Sequence, residues 1–204
     1  MKIHDISVLL DHDIVVYPGD PGVDIQQVEN YATDGWNLTK FSMGSHTGSH
    51  VDTPLHISDT GIGIDSLPLQ QCLGKCKVLD FTHIEYGKCI SLVDLEGRDI
   101  QKDDIILVKT KDSSTNNREF RSDSVYPDEE AAQYLVKKQI KAIGIDHFTI
   151  GPKEIHTAFL RNNILVYESL NLRAIKAEEY YFIGLPLKLK TEGSPVRAVL
   201  IEDF

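Results

Sequence analysis

Between residues 46 and 56 the chain reads His46-Thr47-Gly48-Ser49-His50-Val51-Asp52-Thr53-Pro54-Leu55-His56, three of its eight histidines in one short stretch. An even spread of eight histidines over 204 residues would place fewer than one there. His46 and His50 are four apart, the spacing of a zinc-protease helix, but the glutamate of that motif is missing. Gly48, Val51, Thr53 and Pro54 also oppose a helix. In an extended strand side chains alternate, so His46, Gly48, His50 and Asp52 share a face, with the Cα atoms of His50 and Asp52 ~7 Å apart. His46 would stand ~13 Å from His50 in an ideal strand. For both to reach one ion the chain must bulge or bend, and Gly48 is the residue that permits it. Pro54 then turns the chain and leaves His56 free to approach the same pocket from another angle.

Imidazole and carboxylate ligands suit zinc, with manganese or iron as alternatives. The absence of cysteine from the cluster favours an open catalytic site over a closed structural one. The competing reading is a polar edge strand whose histidines face water. Two further residues weigh against it: His156 on an expected helix, and Glu168 at the end of the apolar run Ile164 to Tyr167. Together they complete a His/Asp/Glu set large enough for two metals bridged by carboxylates.

Around this cluster the chain reads as one continuous, strand-rich α/β domain, residues 1–204, without repeats or linkers. Strands are expected at Ile14–Tyr17, Lys77–Phe81, Ile105–Val108, Ala142–Ile145 and Ile164–Tyr167. The tail suggests a hairpin of Pro186–Lys190 and Val196–Ile201 around a Glu192-Gly193-Ser194-Pro195 turn. The clearest helix runs from about Pro127 to Gln139, with Asp128, Glu129 and Glu130 at its start and Lys137 and Lys138 at its end, an order that complements the macrodipole. A shorter one is expected from Pro152 to Arg161, and Lys109 to Tyr126 reads as a long functional loop that could cover a neighbour's pocket.

The formal charge of −10, with no block of Lys and Arg, argues against nucleic acid as a partner. No apolar run approaches the ~18 residues of a membrane span. Acidic and histidine residues interrupt the first twenty positions, so no secretion signal is expected there. Three cysteines, Cys72, Cys76 and Cys89, fit a reducing compartment, and a cytoplasmic location follows. Cys72 and Cys76 are spaced one residue too far for the usual metal knuckle and have no second pair, so they read as packing residues.

The stretch His46 to His56 resembles the H-x-G-[T/S]-H-x-D-x-P-x-H signature of the cyclase superfamily of metal-dependent hydrolases, which includes bacterial kynurenine formamidase and isatin hydrolase. The resemblance extends to Asp5-Ile6-Ser7, Tyr17-Pro18-Gly19-Asp20, Gly144-Ile145-Asp146, His156 and Glu168-Ser169-Leu170-Asn171-Leu172. It implies a swivelling β/β/α fold, a homodimer or larger homo-oligomer, and two zinc ions per subunit, with manganese as the alternative. His46, His50 and Asp52 would hold the first metal and His156 the second, Asp52 and Glu168 being shared. His56 would be the proton donor and acceptor. The implied activity is hydrolysis of an amide, formamide or lactam C–N bond in a small, aromatic substrate, N-formylkynurenine first. The alternatives are an isatin-hydrolase-like or other family substrate, or a non-catalytic protein that the metal stabilises.

The chain departs from the family pattern at a few positions. Tyr17 stands where kynurenine formamidases carry a substrate-contacting tryptophan, which makes it the substrate-binding candidate. Lys109-Thr110 replaces Arg-Thr, and His147-Phe148-Thr149-Ile150-Gly151 replaces a stretch richer in Ser and Asp. A changed pocket wall is the expectation, with His147 either supporting the site or on the surface.

Overall fold

Uninterrupted apolar runs such as Ile105–Val108 need two buried faces, and the computed structural model, which describes residues 1–115 and 119–203, supplies both. Among these residues ten strands form, β1 (Lys2–Asp5), β2 (Asp24–Glu29), β3 (Leu38–Ser42), β4 (His50–Asp52), β5 (Leu73–Asp80), β6 (Ile105–Lys109), β7 (Ala142–Ile145), β8 (Leu165–Glu168), β9 (Glu179–Pro186) and β10 (Gly193–Glu202). The helices are α1 (Tyr31–Asp34), α2 (Leu92–Leu95), α3 (Glu129–Lys137) and α4 (Lys153–Leu160). The order β10-β4-β8-β7-β6-β5-β9 returns to β10 and closes a barrel of seven strands, with β1 beside the far half of β10. Strands β5 to β8 are parallel neighbours and the remaining pairings are antiparallel. The architecture is therefore the mixed, strand-rich α/β class that the sequence pattern implies. Among the described residues, strands β2 and β3 pair only with each other, as a separate ribbon.

Strand alternation sorts the core into two layers. Ile105, Leu107, Ala142, Leu165 and Tyr167 point into the barrel, where Phe182 and Leu200 meet them. Ile106, Val108, Ile143, Ile145 and Val166 point outward and are covered by Ala131, Ala132 and Leu135 of α3 and Ile155, Phe159 and Leu160 of α4. Helix α3 begins two residues inside the expected start, because the Asp128 carboxylate accepts from Ala131 N at 2.8 Å and so forms its N-cap.

Two expected elements are corrected. Ile14–Tyr17 is not a strand. A turn at Asp11, whose carboxylate accepts from Asp13 N at 3.0 Å, and a second turn closed by Asp20 N on Tyr17 O leave four residues between them. The run instead lays Ile14 over the bend at Gly48. The tail does form a hairpin, but its first strand is Glu179–Pro186, not Pro186–Lys190, and Gly193, Ser194 and Pro195 belong to β10 rather than to the turn. Ser194 holds the connection by accepting from Leu187 N at 3.1 Å, a local bond that the apolar alternation does not reveal.

Gly144 marks a tight point of the barrel. A Cβ there would lie 2.5 Å from Leu107 Cδ2 and 2.8 Å from Leu170 Cδ1. Gly144→Ala is therefore expected to destabilise the protein by about 1–3 kcal/mol, the usual penalty of overpacking, read as a lower urea midpoint at unchanged slope. A wild-type midpoint would show that the interior has room to spare.

Candidate metal centre

Strand β4 carries Val51 into the barrel, so alternation sends His50 and Asp52 to the outer, helix-covered face. In the antiparallel pairing with β8, His50 lies opposite Glu168 and Asp52 opposite Val166, which places the Glu168 carboxylate beside His50. Gly48, with φ of +65°, bends the chain just before β4; a Cβ there would meet Leu10 Cδ2 at 2.5 Å. The bend brings His46 back, so that its ring centroid is 5.1 Å from that of His50 and its Nδ1 is 2.8 Å from Asp52 Oδ1. Pro54 opens a 3-10 turn over Pro54–Ile57 that sets His56 against His46, centroids 4.3 Å apart. Helix α4 closes the group from above: His156 Nε2 lies 3.0 Å from Glu168 Oε1 and 3.8 Å from Asp52 Oδ2.

Five imidazoles and carboxylates thus converge in the protein wall, with His56 beside them. Within 4.8 Å of one another lie ligand atoms of His46, Asp52 and His56, and likewise of His50, Asp52 and Glu168. Asp52, with no exposed surface, is common to both groups.

The donor chemistry fits a divalent cation. His50 Nδ1 donates to Gly48 O at 2.8 Å, so in the neutral ring Nε2 carries the lone pair; that atom is buried 3.2 Å from Glu168 Oε2, without a well-formed hydrogen bond among the described residues. Asp52 Oδ2 is likewise buried without a hydrogen bond. His156 Nδ1 lies 3.3 Å from Pro152 O, which again turns Nε2 toward the carboxylates. Acceptors facing acceptors inside a protein are costly unless a cation or shared protons lie between them. The titration behaviour shows the same field. Burial opposes the charged form of His46, yet its bond to Asp52 and the charges of Asp52 and Glu168 push it up to about 9. Burial is outweighed in the same way at His156, raised to about 9 by Glu168 and Asp52, and at His50. Burial alone would raise Glu168, but His156 and His50 hold it far below the usual carboxylate range. His56 differs: burial lowers it, with His46 and His156 adding to the effect, so a neutral imidazole stands at the edge of the group.

His46, His56, His156 and Glu168 open onto a cavity of about 630 Å³ that Tyr17, Phe148, Asp20 and Lys153 also line. The ring of Tyr17 meets Phe120 edge-on at 5.2 Å, and Phe120 in turn packs on Phe148 and His147. Phe120 comes from the long loop after β6, of which residues 116–118 lie outside the described residues. That loop is tied down by Asp146, whose carboxylate accepts from Thr110 N at 2.8 Å, Thr110 Oγ1 at 2.7 Å and Ser113 N at 3.0 Å. Lys109 does not line the cavity; its Nζ donates to Ile175 O at 2.7 Å and Arg173 O at 3.2 Å. His147 is buried, not on the surface, with Nδ1 against the Thr149 backbone. One neighbour of the site, Glu192, escapes the sequence reading, because a glutamate before Gly-Ser-Pro reads as an ordinary turn residue.

The family profile described as "Putative cyclase" matches residues 4–152. The chain belongs to the cyclase family. An uncharacterized protein of Methanocaldococcus jannaschii is 34% identical to this cyclase-family chain, across 98% of the chain and 100% of its own length. A protein named kynurenine formamidase from Geobacillus thermodenitrificans is 33% identical across 96% and 95%. Among solved structures, a "predicted metal-dependent hydrolase" from Bacillus stearothermophilus superposes with a TM-score of 0.85 at 30% identity, covering 98% of this chain and 97% of its own. Isatin hydrolase A from Ralstonia solanacearum shares the fold, with a TM-score of 0.88 at 19% identity over 98% and 92% of the two chains.

Proposed function

We propose that this cyclase-family chain is a metal-dependent hydrolase that cleaves a carbon–nitrogen bond, an amide, formamide or lactam, in a small aromatic substrate, N-formylkynurenine being the first candidate. The observation that carries the reading is the convergence of buried, unsatisfied His and carboxylate lone pairs at the floor of an aromatic-walled cavity. His46, His50 and Asp52 would hold a first divalent ion and His156 a second, with Asp52 and Glu168 shared. Zinc or manganese bound there would supply Lewis acidity toward water and toward the scissile carbonyl. His56, neutral near pH 7 and open to the cavity, takes the proton of the attacking water on a ring nitrogen and returns it to the leaving nitrogen. Tyr17 and Phe148 offer aromatic walls for the substrate ring. Kynurenine formamidase as the name of a full-length relative supports the substrate class.

The test is a panel of formamides, lactams and esters assayed before and after chelation, with zinc or manganese restored. Activity on a C–N substrate that chelation abolishes and metal restores, while the circular dichroism persists, is the expected result. Unfolding on chelation would favour a metal-stabilised binding protein. Inactivity on the whole panel, with no metal bound on titration, would overturn the reading.

The assembly proposed is a cytoplasmic homodimer. A two-stranded ribbon has no core of its own, yet β2–β3 and its connection expose Trp36 (64%), Phe41 (60%) and Leu38 (50%). Phe41 also lines an apolar cavity of about 550 Å³ with Leu9, Leu10, Val23 and Ile25, which a second copy of the ribbon would fill. Light scattering at micromolar concentration should give twice the 22.9 kDa chain mass, and a monomer mass sinks this proposal.

A further inference from the structure

His46 is gripped on a side that faces away from the cavity. Its Nδ1 points at Asp52, while its Nε2 lies 3.2 Å from Glu192 Oε1. The same Glu192 oxygen accepts from Ser45 Oγ at 2.6 Å. Glu192 ends the β9–β10 connection, and its backbone carbonyl accepts from Thr53 N at 3.0 Å and Thr53 Oγ1 at 2.7 Å. The turn is thereby fastened to the residue that follows Asp52. His46 lines the cavity and Glu192 does not, so Glu192 works from behind the ring. The next residue, Gly193, meets the ring itself: a Cβ there would lie 2.7 Å from His46 Cε1, 3.1 Å from Nε2 and 3.2 Å from Nδ1. Its φ is outside the left-handed region, so glycine is required at this point for space and not for conformation.

We infer that Glu192 and Gly193 are the positioning wall of His46: Glu192 accepts the Nε2 proton, Gly193 leaves room for the ring plane, and the Nδ1 lone pair is presented to a metal beside Asp52. This rests on the metal-dependent reading proposed above. His50 and His156 are set by backbone carbonyls, of Gly48 and Pro152, and present Nε2. His46 lies in a turn ahead of β4 and receives its acceptor from a segment some 146 residues away in the chain. A carboxylate on the outer nitrogen fixes the tautomer and makes the inner nitrogen a better ligand, an effect commonly worth about 10–100-fold in metal affinity. As an ion pair alone the contact would add little, because the Glu192 side chain is 37% exposed.

The experiment measures zinc and cobalt affinity of the full-length chain by competition with a chromophoric chelator, together with the cobalt absorption spectrum and the melting temperature of metal-free protein. E192A should bind metal about 10–100-fold more weakly, with an altered cobalt spectrum and an unchanged metal-free melting temperature. E192Q keeps an acceptor oxygen but loses the charge, and should fall between E192A and wild type. G193A should also weaken binding, by displacing the ring. Wild-type affinity and spectrum in E192A, or in E192Q should E192A fail to fold, overturn the inference while leaving the metal-dependent reading intact. A wild-type chain that takes up no metal overturns that reading, and the positioning role with it.

Discussion

Asp52→Ala should empty the protein of metal and abolish hydrolysis together. Asp52 is fully buried, its Oδ1 lies 2.8 Å from His46 and 3.4 Å from His50, and its Oδ2 is 3.8 Å from His156. It is the one residue that both ligand groups share, so its loss removes a carboxylate from each rather than weakening one. Five candidate ligands exceed the needs of a single open site, and wild type should hold one to two equivalents of zinc, manganese or iron by elemental analysis. The variant should hold close to none and show only background rates. Full metal content in Asp52→Ala would place the ion elsewhere.

His56→Ala should behave in the opposite way, keeping its metal while kcat falls by about 10²–10⁴-fold, the usual worth of a positioned acid–base group. His56→Asn should be nearly as slow, since an amide can hydrogen bond but cannot exchange a proton near neutral pH. The separation is demanding, because a nitrogen of His56 lies within reach of His46 and Asp52 in one of the two ligand groups. Loss of metal in His56→Ala would make His56 a ligand, and His46 the first candidate for the residue outside the inner set.

The residues that were legible in the sequence share one property: their meaning is local. Gly48 and Pro54 disclose the bend and the turn that bring His46, His50 and His56 together, and the charge order of residues 128–138 discloses α3. His156 and Glu168 are suggested by residue type, but only the β4–β8 register explains why Glu168 reaches His50. Glu192 carries no local signal at all, because its partner is brought to it by the barrel. Ile14–Tyr17 is the converse case: its composition suits a strand, but two flanking turns prevent it from pairing. Strand β9 is hidden in the sequence because Gly184 interrupts its pattern, although that glycine is where Tyr167 OH donates to the backbone, at 2.9 Å.

Strand β10 follows β1, β4 and β9 in sequence, yet it borders all three, so the ribosome delivers its neighbours before it. Until residues 193–202 have emerged, β4 lacks a neighbour on one side and His46 lacks the wall formed by Glu192 and Gly193. Pairings this distant in sequence are slow to form. A metal held in the proposed cage would accordingly be acquired after the sheet closes, and a nascent or C-terminally clipped chain, lacking that wall, would compete less well for the ion against the chelating small molecules of a cell.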